Sequence, residues 1–152
     1  MTKMYLCLLM KRIRTVFFST LLCVLAACGH QISHGNIPEI NVNFKVYPYS
    51  LDNTLLAAGN FKNFAHGYMG VCVYHAGYMD EEYVAFEQAC PWDWEQGCMV
   101  EYDKETDRMI GQRCGYTYSS FNGYGYSKEV QRYALRKYHI TYMANGAFVV
   151  SN

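Results

Sequence analysis

The chain of 152 residues has no internal repeat, no low-complexity tract and only three prolines. Solenoids and proline-rich extended linkers are excluded on that ground. Catalytic signatures are missing too. There is no G-x-S-x-G turn, no H-E-x-x-H pair and no Gly-rich phosphate loop, so no nucleophile, metal-bound water or nucleotide is positioned by a recognisable motif. No catalytic residue is nominated, and the chain is expected not to be an enzyme. Charge is sparse, at 17% of residues, and uneven. Lys3, Lys11, Arg12 and Arg14 precede Cys28, while all thirteen acidic residues follow it, which leaves nine basic against thirteen acidic residues and a net charge of −4 beyond that point. That balance excludes the basic footprint of a nucleic-acid binder and a polybasic membrane patch. No apolar run reaches the ~20 residues of a spanning helix. What the chain does have is 51% hydrophobic and 16% aromatic residues, enough to build the core of one compact domain.

The first 27 residues read as an export signal. Lys11-Arg12-Ile13-Arg14 is a positive run, residues 16–26 are an apolar run of signal-peptide length, and Leu25-Ala26-Ala27-Cys28 closes it with small residues. These four residues resemble the lipobox of bacterial lipoproteins, which implies cleavage before Cys28 and acylation of its thiol. An ordinary signal peptide that happens to contain a cysteine is the plainer alternative. Residues 1–9 put an apolar stretch ahead of the basic run, and the signal is already complete from Met10, which is an alternative start. Acyl chains contribute about 0.8 kcal/mol per buried CH₂, so a multiply acylated Cys28 is a firm anchor. Gly29-His30 follows Cys28, with no aspartate in the second position; by resemblance, this implies the outer membrane. Residues 28–40 are expected to form a polar tether, with His30 and His34 solvated in it.

From Asn41 onward the dominant hydrophobic period is two, the signature of strands. Val42, Phe44 and Val46 alternate with Asn41, Asn43 and Lys45. Residues 71–74 and 83–88 are short runs of strand formers, with Asp80, Glu81 and Glu82 as a charged turn between them. Residues 99–102 and 109–113 flank an acidic turn at 103–107 and predict a hairpin. Residues 133–143 and 147–151 predict another, joined across Asn145-Gly146, a pair that tolerates positive φ at both turn positions. Residues 51–58 can hold one helical turn. The predicted class is all-β: a small antiparallel domain over 41–152, of stacked sheets or barrel-like.

Seven cysteines are present. Cys7 and Cys23 lie in the signal and Cys28 at its end, so Cys72, Cys90, Cys98 and Cys114 belong to the domain. Their setting resembles the Rieske ferredoxin-like domain. Gly70-Val71-Cys72-Val73-Tyr74 looks like the strand before the first cluster loop, and Cys90-Pro91-Trp92 stands where that family has Cys-Pro-His. Cys114-Gly115-Tyr116-Thr117 stands where it has Cys-x-x-His, with Tyr118 and Phe121-Asn122-Gly123 like its aromatic residue and following turn. The resemblance implies that Cys90, Trp92, Cys114 and Thr117 occupy the four cluster positions. A Rieske centre holds one iron by two thiolates and the other by two imidazoles. Indole N–H has no lone pair to donate, and a neutral Thr hydroxyl is a poor iron ligand beside imidazole. No cofactor is therefore expected, and a 2Fe–2S cluster only under unusual ligation.

The family's two thiolates share an iron, so the resemblance implies that Cys90 and Cys114 lie within disulfide reach of each other. Without iron, in an oxidising compartment, it implies a Cys90–Cys114 disulfide. That bridge closes 25 residues, counting both ends, and contributes about 3 kcal/mol on the chain-entropy model. Cys72 and Cys98 are either a second bridge or buried thiols. Zinc on these cysteines is disfavoured, because intervals of 7 and 15 residues lack the paired C-x₂-C form. His66, His75 and His139 show no ligand spacing. Most of the 15 tyrosines fit strand packing. Trp92, Trp94, Tyr116 and Tyr118 are the exception, predicting an exposed aromatic tip for a protein or glycan. The expected function is a membrane-anchored, non-catalytic interaction or structural module. Electron transfer and glycan or peptide binding are the alternatives.

Overall fold

The computed structural model describes residues 32–77 and 82–152. The signal, Met10, Cys28, Gly29-His30 and the Asp80-Glu81 part of the charged turn lie outside them. The described residues are all-β, as the hydrophobic period predicted. Nine strands form two antiparallel sheets: β1 (Asn43–Val46), β2 (Phe61–Phe64), β3 (Val71–His75), β4 (Tyr83–Glu87), β5 (Val100–Asp103), β6 (Arg108–Gly111), β7 (Thr117–Ser119), β8 (Lys137–Tyr142) and β9 (Phe148–Ser151). The larger sheet has the order β1-β9-β8-β4-β3-β2, and the smaller one β5-β6-β7.

β8 bends the larger sheet. Its first two residues pair with β4 (Ala85↔Tyr138, Phe86↔Lys137), and its remainder pairs with β9 (His139↔Ser151 to Tyr142↔Phe148). Because successive side chains face opposite ways, this curl gives β3 and β4 two buried faces. Val71, Val73, Tyr83 and Ala85 pack with Val42, Phe44, Val46, Phe148 and Val150. Cys72, Tyr74, Val84 and Phe86 pack with Val100, Tyr102, Met109 and Tyr118 of the small sheet. A strand covered on both sides reads as a continuous apolar run, which is why these two segments show no alternation while β1 does. A 3₁₀ turn at Asn53–Leu56 buries Leu55. Beside it, Asp52 accepts from the Tyr47 N–H and from Lys62, each at 2.7 Å.

Two expectations about loops need correction. The final hairpin does not turn on Asn145-Gly146 alone. Gly146 takes φ 77° while Asn145 keeps a negative φ; the Gly146 N–H reaches the Met143 carbonyl and the Met143 N–H the Ala147 carbonyl. This is a three-residue loop, Ala144-Asn145-Gly146, in which only the last position needs the left-handed region. The expected free tether is also shorter than 28–40. Ser33 bridges Tyr133, His34 Nδ1 lies 3.0 Å from the Ala134 carbonyl, Ile37 is buried, and Arg136 donates to the carbonyls of Ile37 and Pro38. Polar side chains suggested solvent, but here the backbone supplies the pairing.

The two-faced core holds several acids that resist ionisation. Burial, with Glu101 adding to it, pushes the Cys72 thiol up from 9.0 to about 12. Burial, followed by Glu82, pushes Tyr83 up from 10.0 to about 12. Burial also raises Tyr102, Tyr118 and Tyr138. A raised folded-state pKa gives stability that is complete below the unfolded-state value and is lost as pH climbs past it. The guanidinium midpoint is therefore expected to fall steadily above pH 9. A midpoint that is flat from pH 8 to pH 11 would contradict this core.

Candidate functional site

Two loops meet at one end of the small sheet. The first connects β4 to β5. Its base is closed by the Ala89↔Met99 bridge, by the Cys90 N–H on the Cys98 carbonyl at 3.0 Å and by Gln88, which bonds Val100 through backbone and side chain. A 3₁₀ turn at Trp94–Gln96 and Gly97 at φ 72° bring the chain back, so Cys90 and Cys98 lie side by side. The second loop, between β6 and β7, is a tight turn with the Gly115 N–H on the Gly111 carbonyl and the Gly111 N–H on the Tyr116 carbonyl, each 2.8 Å. The Gln112 N–H then bonds the Met99 carbonyl, also at 2.8 Å, and joins the two loops.

The result is a cluster of three cysteines, Cys90, Cys98 and Cys114, whose sulfurs all lie within 4.8 Å of one another. Among the described residues it is the one group of three or more His, Cys, Asp or Glu with ligand atoms so close, and it contains no histidine. Cys114 is disulfide-bonded to Cys98, with Cα atoms 6.1 Å apart. This corrects the expected Cys90–Cys114 bridge. The reason is register: Val100 faces Gly111, so Cys98, two residues earlier, lies beside the turn that carries Cys114, and Cys90 is one strand further away. Gly111 makes the bond possible, since a Cβ there would meet the sulfurs of both Cys114 and Cys98. Cys90 stays a free, buried thiol 3.5 Å from Cys114 Sγ and 3.2 Å from the Tyr118 hydroxyl. Cys72 is free and buried, so the alternative Cys72–Cys98 bridge is absent.

The other singled-out residues are not equally placed. Trp92 is 46% exposed and meets Tyr116 and Tyr133 edge-on, with centroids 6.0 and 5.3 Å apart. Trp94 meets the edge of Tyr68. Thr117 opens β7 opposite Ile110. Tyr118, expected at the exposed tip, is fully buried: it pairs with Met109 and packs in the core beneath the cysteines. Burial, then its neighbour Cys90, hold its phenol in the protonated form, while the Trp92 backbone N–H also bonds it. Strand alternation, not tyrosine density, turns Tyr118 inward.

Sequence reasoning missed Tyr133 and the 33–36 segment. Together with Pro91, Trp92, Trp94 and Glu95 they line a groove of about 250 Å³. Gly35, at φ 66°, lies where a Cβ would strike the Pro91 carbonyl, so that segment hugs the first loop. None of the described histidines joins the sulfurs: His66 stacks on Phe44 at 4.2 Å, and His75 bonds the Leu55 carbonyl at 2.7 Å. Among the described residues the donor group thus holds three sulfurs and no imidazole, with two of the three sulfurs joined in a disulfide.

No family model matches the chain, and no curated protein matches it in sequence. Among solved structures it is similar to the ferredoxin of carbazole 1,9a-dioxygenase from Nocardioides aromaticivorans, at 14% identity and TM-score 0.48 over 72% of this chain and 96% of that one. It is similar to the plasma membrane Rieske protein of the cyanobacterium Synechocystis, at 16% identity and TM-score 0.48 over 75% and 99%. A candidate NADH-dependent nitrite reductase small subunit from Mycobacterium tuberculosis gives 14% identity and TM-score 0.45 over 75% and 97%.

Proposed function

We propose that this chain is an outer-membrane lipoprotein, acylated at Cys28, whose Rieske-like β domain carries no iron–sulfur cluster. It acts as a non-catalytic module that presents the groove beside Trp92 to a protein or glycan partner. The donor set carries this reading. The two loops offer one free thiol, Cys90, and the disulfide sulfurs of Cys98 and Cys114; the sequence resemblance puts Trp92 and Thr117 at the family's two imidazole positions, and the donor group holds no histidine. A second iron would have no imidazole to hold it. The groove supports the binding role, because half-exposed aromatic rings next to polar groups are the usual make-up of contact surfaces.

The test is purification of the chain under anaerobic, non-denaturing conditions. The expected product is colourless, with neither iron nor acid-labile sulfide in stoichiometric amount, and mass spectrometry finds acyl chains on Cys28. A red-brown protein with equal iron and sulfide would establish electron transfer instead.

A further inference from the structure

We propose that Cys90, Cys98 and Cys114 form a thiol–disulfide exchange site, in which Cys114 is the shared sulfur and the bond moves between Cys98 and Cys90. The proposal goes beyond the binding role and rests on the cluster-free reading in one respect, namely that no iron holds these sulfurs.

Three observations carry it. The first is distance. Exchange requires one sulfur to attack another at close range, and Cys90 Sγ is 3.5 Å from Cys114 Sγ. The second is the neighbour of the attacking thiol: the Tyr118 hydroxyl lies 3.2 Å from Cys90 Sγ, within hydrogen-bonding distance of the sulfur on which charge develops during attack. The third is asymmetry of access. Cys90 and Cys98 are fully buried, Cys114 is partly exposed, and the space beside the adjacent Gly115 is open. An external thiol therefore reaches Cys114 first. Cys72 lies outside the cluster with its thiol held protonated, and serves as an internal control.

The step balances without an oxidant. Cys90 gives up its proton, its thiolate bonds to Cys114 Sγ, the Cys98–Cys114 bond breaks, and Cys98 leaves as a thiolate that takes that proton up. One thiol and one disulfide exist before and after. A small or protein thiol catalyses the same change: it attacks Cys114, releases Cys98, and is expelled when Cys90 attacks the mixed disulfide. The move carries the covalent tether from the foot of β5 to the loop bearing Pro91 and Trp92, so the groove wall changes its attachment.

The experiment uses the full-length chain, equilibrated in glutathione buffers of graded reduced-to-oxidised ratio at neutral pH. Samples are quenched in acid, denatured, alkylated and peptide-mapped without reduction. Both Cys98–Cys114 and Cys90–Cys114 peptides are expected from one preparation, the minor form at about a tenth of the bridged molecules or more, with Cys72 free throughout. Cys98→Ser is expected to give the Cys90–Cys114 bridge, and Tyr118→Phe to slow re-equilibration several-fold. A colourless wild-type protein that yields a single bridge at every ratio overturns exchange while leaving the cluster-free reading intact. An iron-loaded protein overturns both.

Discussion

Glu87→Ala is expected to cost the domain about 3 kcal/mol or more, a large share of the ~5–15 kcal/mol that holds a domain of this size folded. Glu87 ends β4 with its side chain fully buried. Its carboxylate accepts from the N–H groups of Tyr68 at 2.8 Å and Met69 at 2.9 Å, from the Ala89 N–H at 3.3 Å, and from the Tyr138 hydroxyl at 2.7 Å. One acid thus joins the β2–β3 turn, the start of the first cysteine loop and β8. Gly67 completes the arrangement: at φ 74° it presents no Cβ where the carboxylate oxygen and the Tyr138 hydroxyl lie. Removing the acid leaves buried donors without acceptors, which costs more than the bonds themselves were worth. Glu87→Gln preserves the shape but turns one acceptor into a donor facing donors, so an intermediate loss is expected. Guanidinium denaturation followed by circular dichroism measures both. A loss below 1 kcal/mol for Glu87→Ala would mean that water replaces the carboxylate and that the staple is not structural.

The second large effect falls on Cys114. Cys114→Ser is expected to cost about 3 kcal/mol, the loop-closure contribution of a bridge with a sequence separation of 16. Cys98→Ser is expected to cost distinctly less, because Cys90 sits 3.5 Å from the orphaned sulfur and can take the place of Cys98. Cys90→Ser leaves the existing bond untouched and disturbs only packing against Tyr118. The three midpoints therefore have an order, with Cys114→Ser lowest and close to that of reduced wild type. Equal losses for Cys114→Ser and Cys98→Ser would show that Cys90 never substitutes. An unchanged midpoint on reduction would show that the bridge contributes nothing to stability.

The amino-acid order alone settled whatever depends on neighbours along the chain. The period of two at Val42, Phe44 and Val46 marked β1, and the acidic turn at 103–107 marked the β5–β6 hairpin, because alternation and turn chemistry are local. The runs of strand formers at β3 and β4 marked two more strands, but not that both their faces would be covered. β2 was not legible: Phe61–Phe64 is a short strand whose Lys and Asn are tolerated because it lies at the edge of the sheet. Tertiary structure decided the chemistry. Cys114 had two possible partners at similar range, and only the register that sets Val100 opposite Gly111, with a glycine to make room, assigned it to Cys98. Tyr118 went inward and Trp92 outward for the same kind of reason. An acidic side chain, Glu87, buried in the core, and residues 33–38 packed where a tether was expected, are likewise outcomes of contacts between segments distant in sequence. Such contacts are fixed by pairing across strands, and no local pattern encodes which strand will be the neighbour.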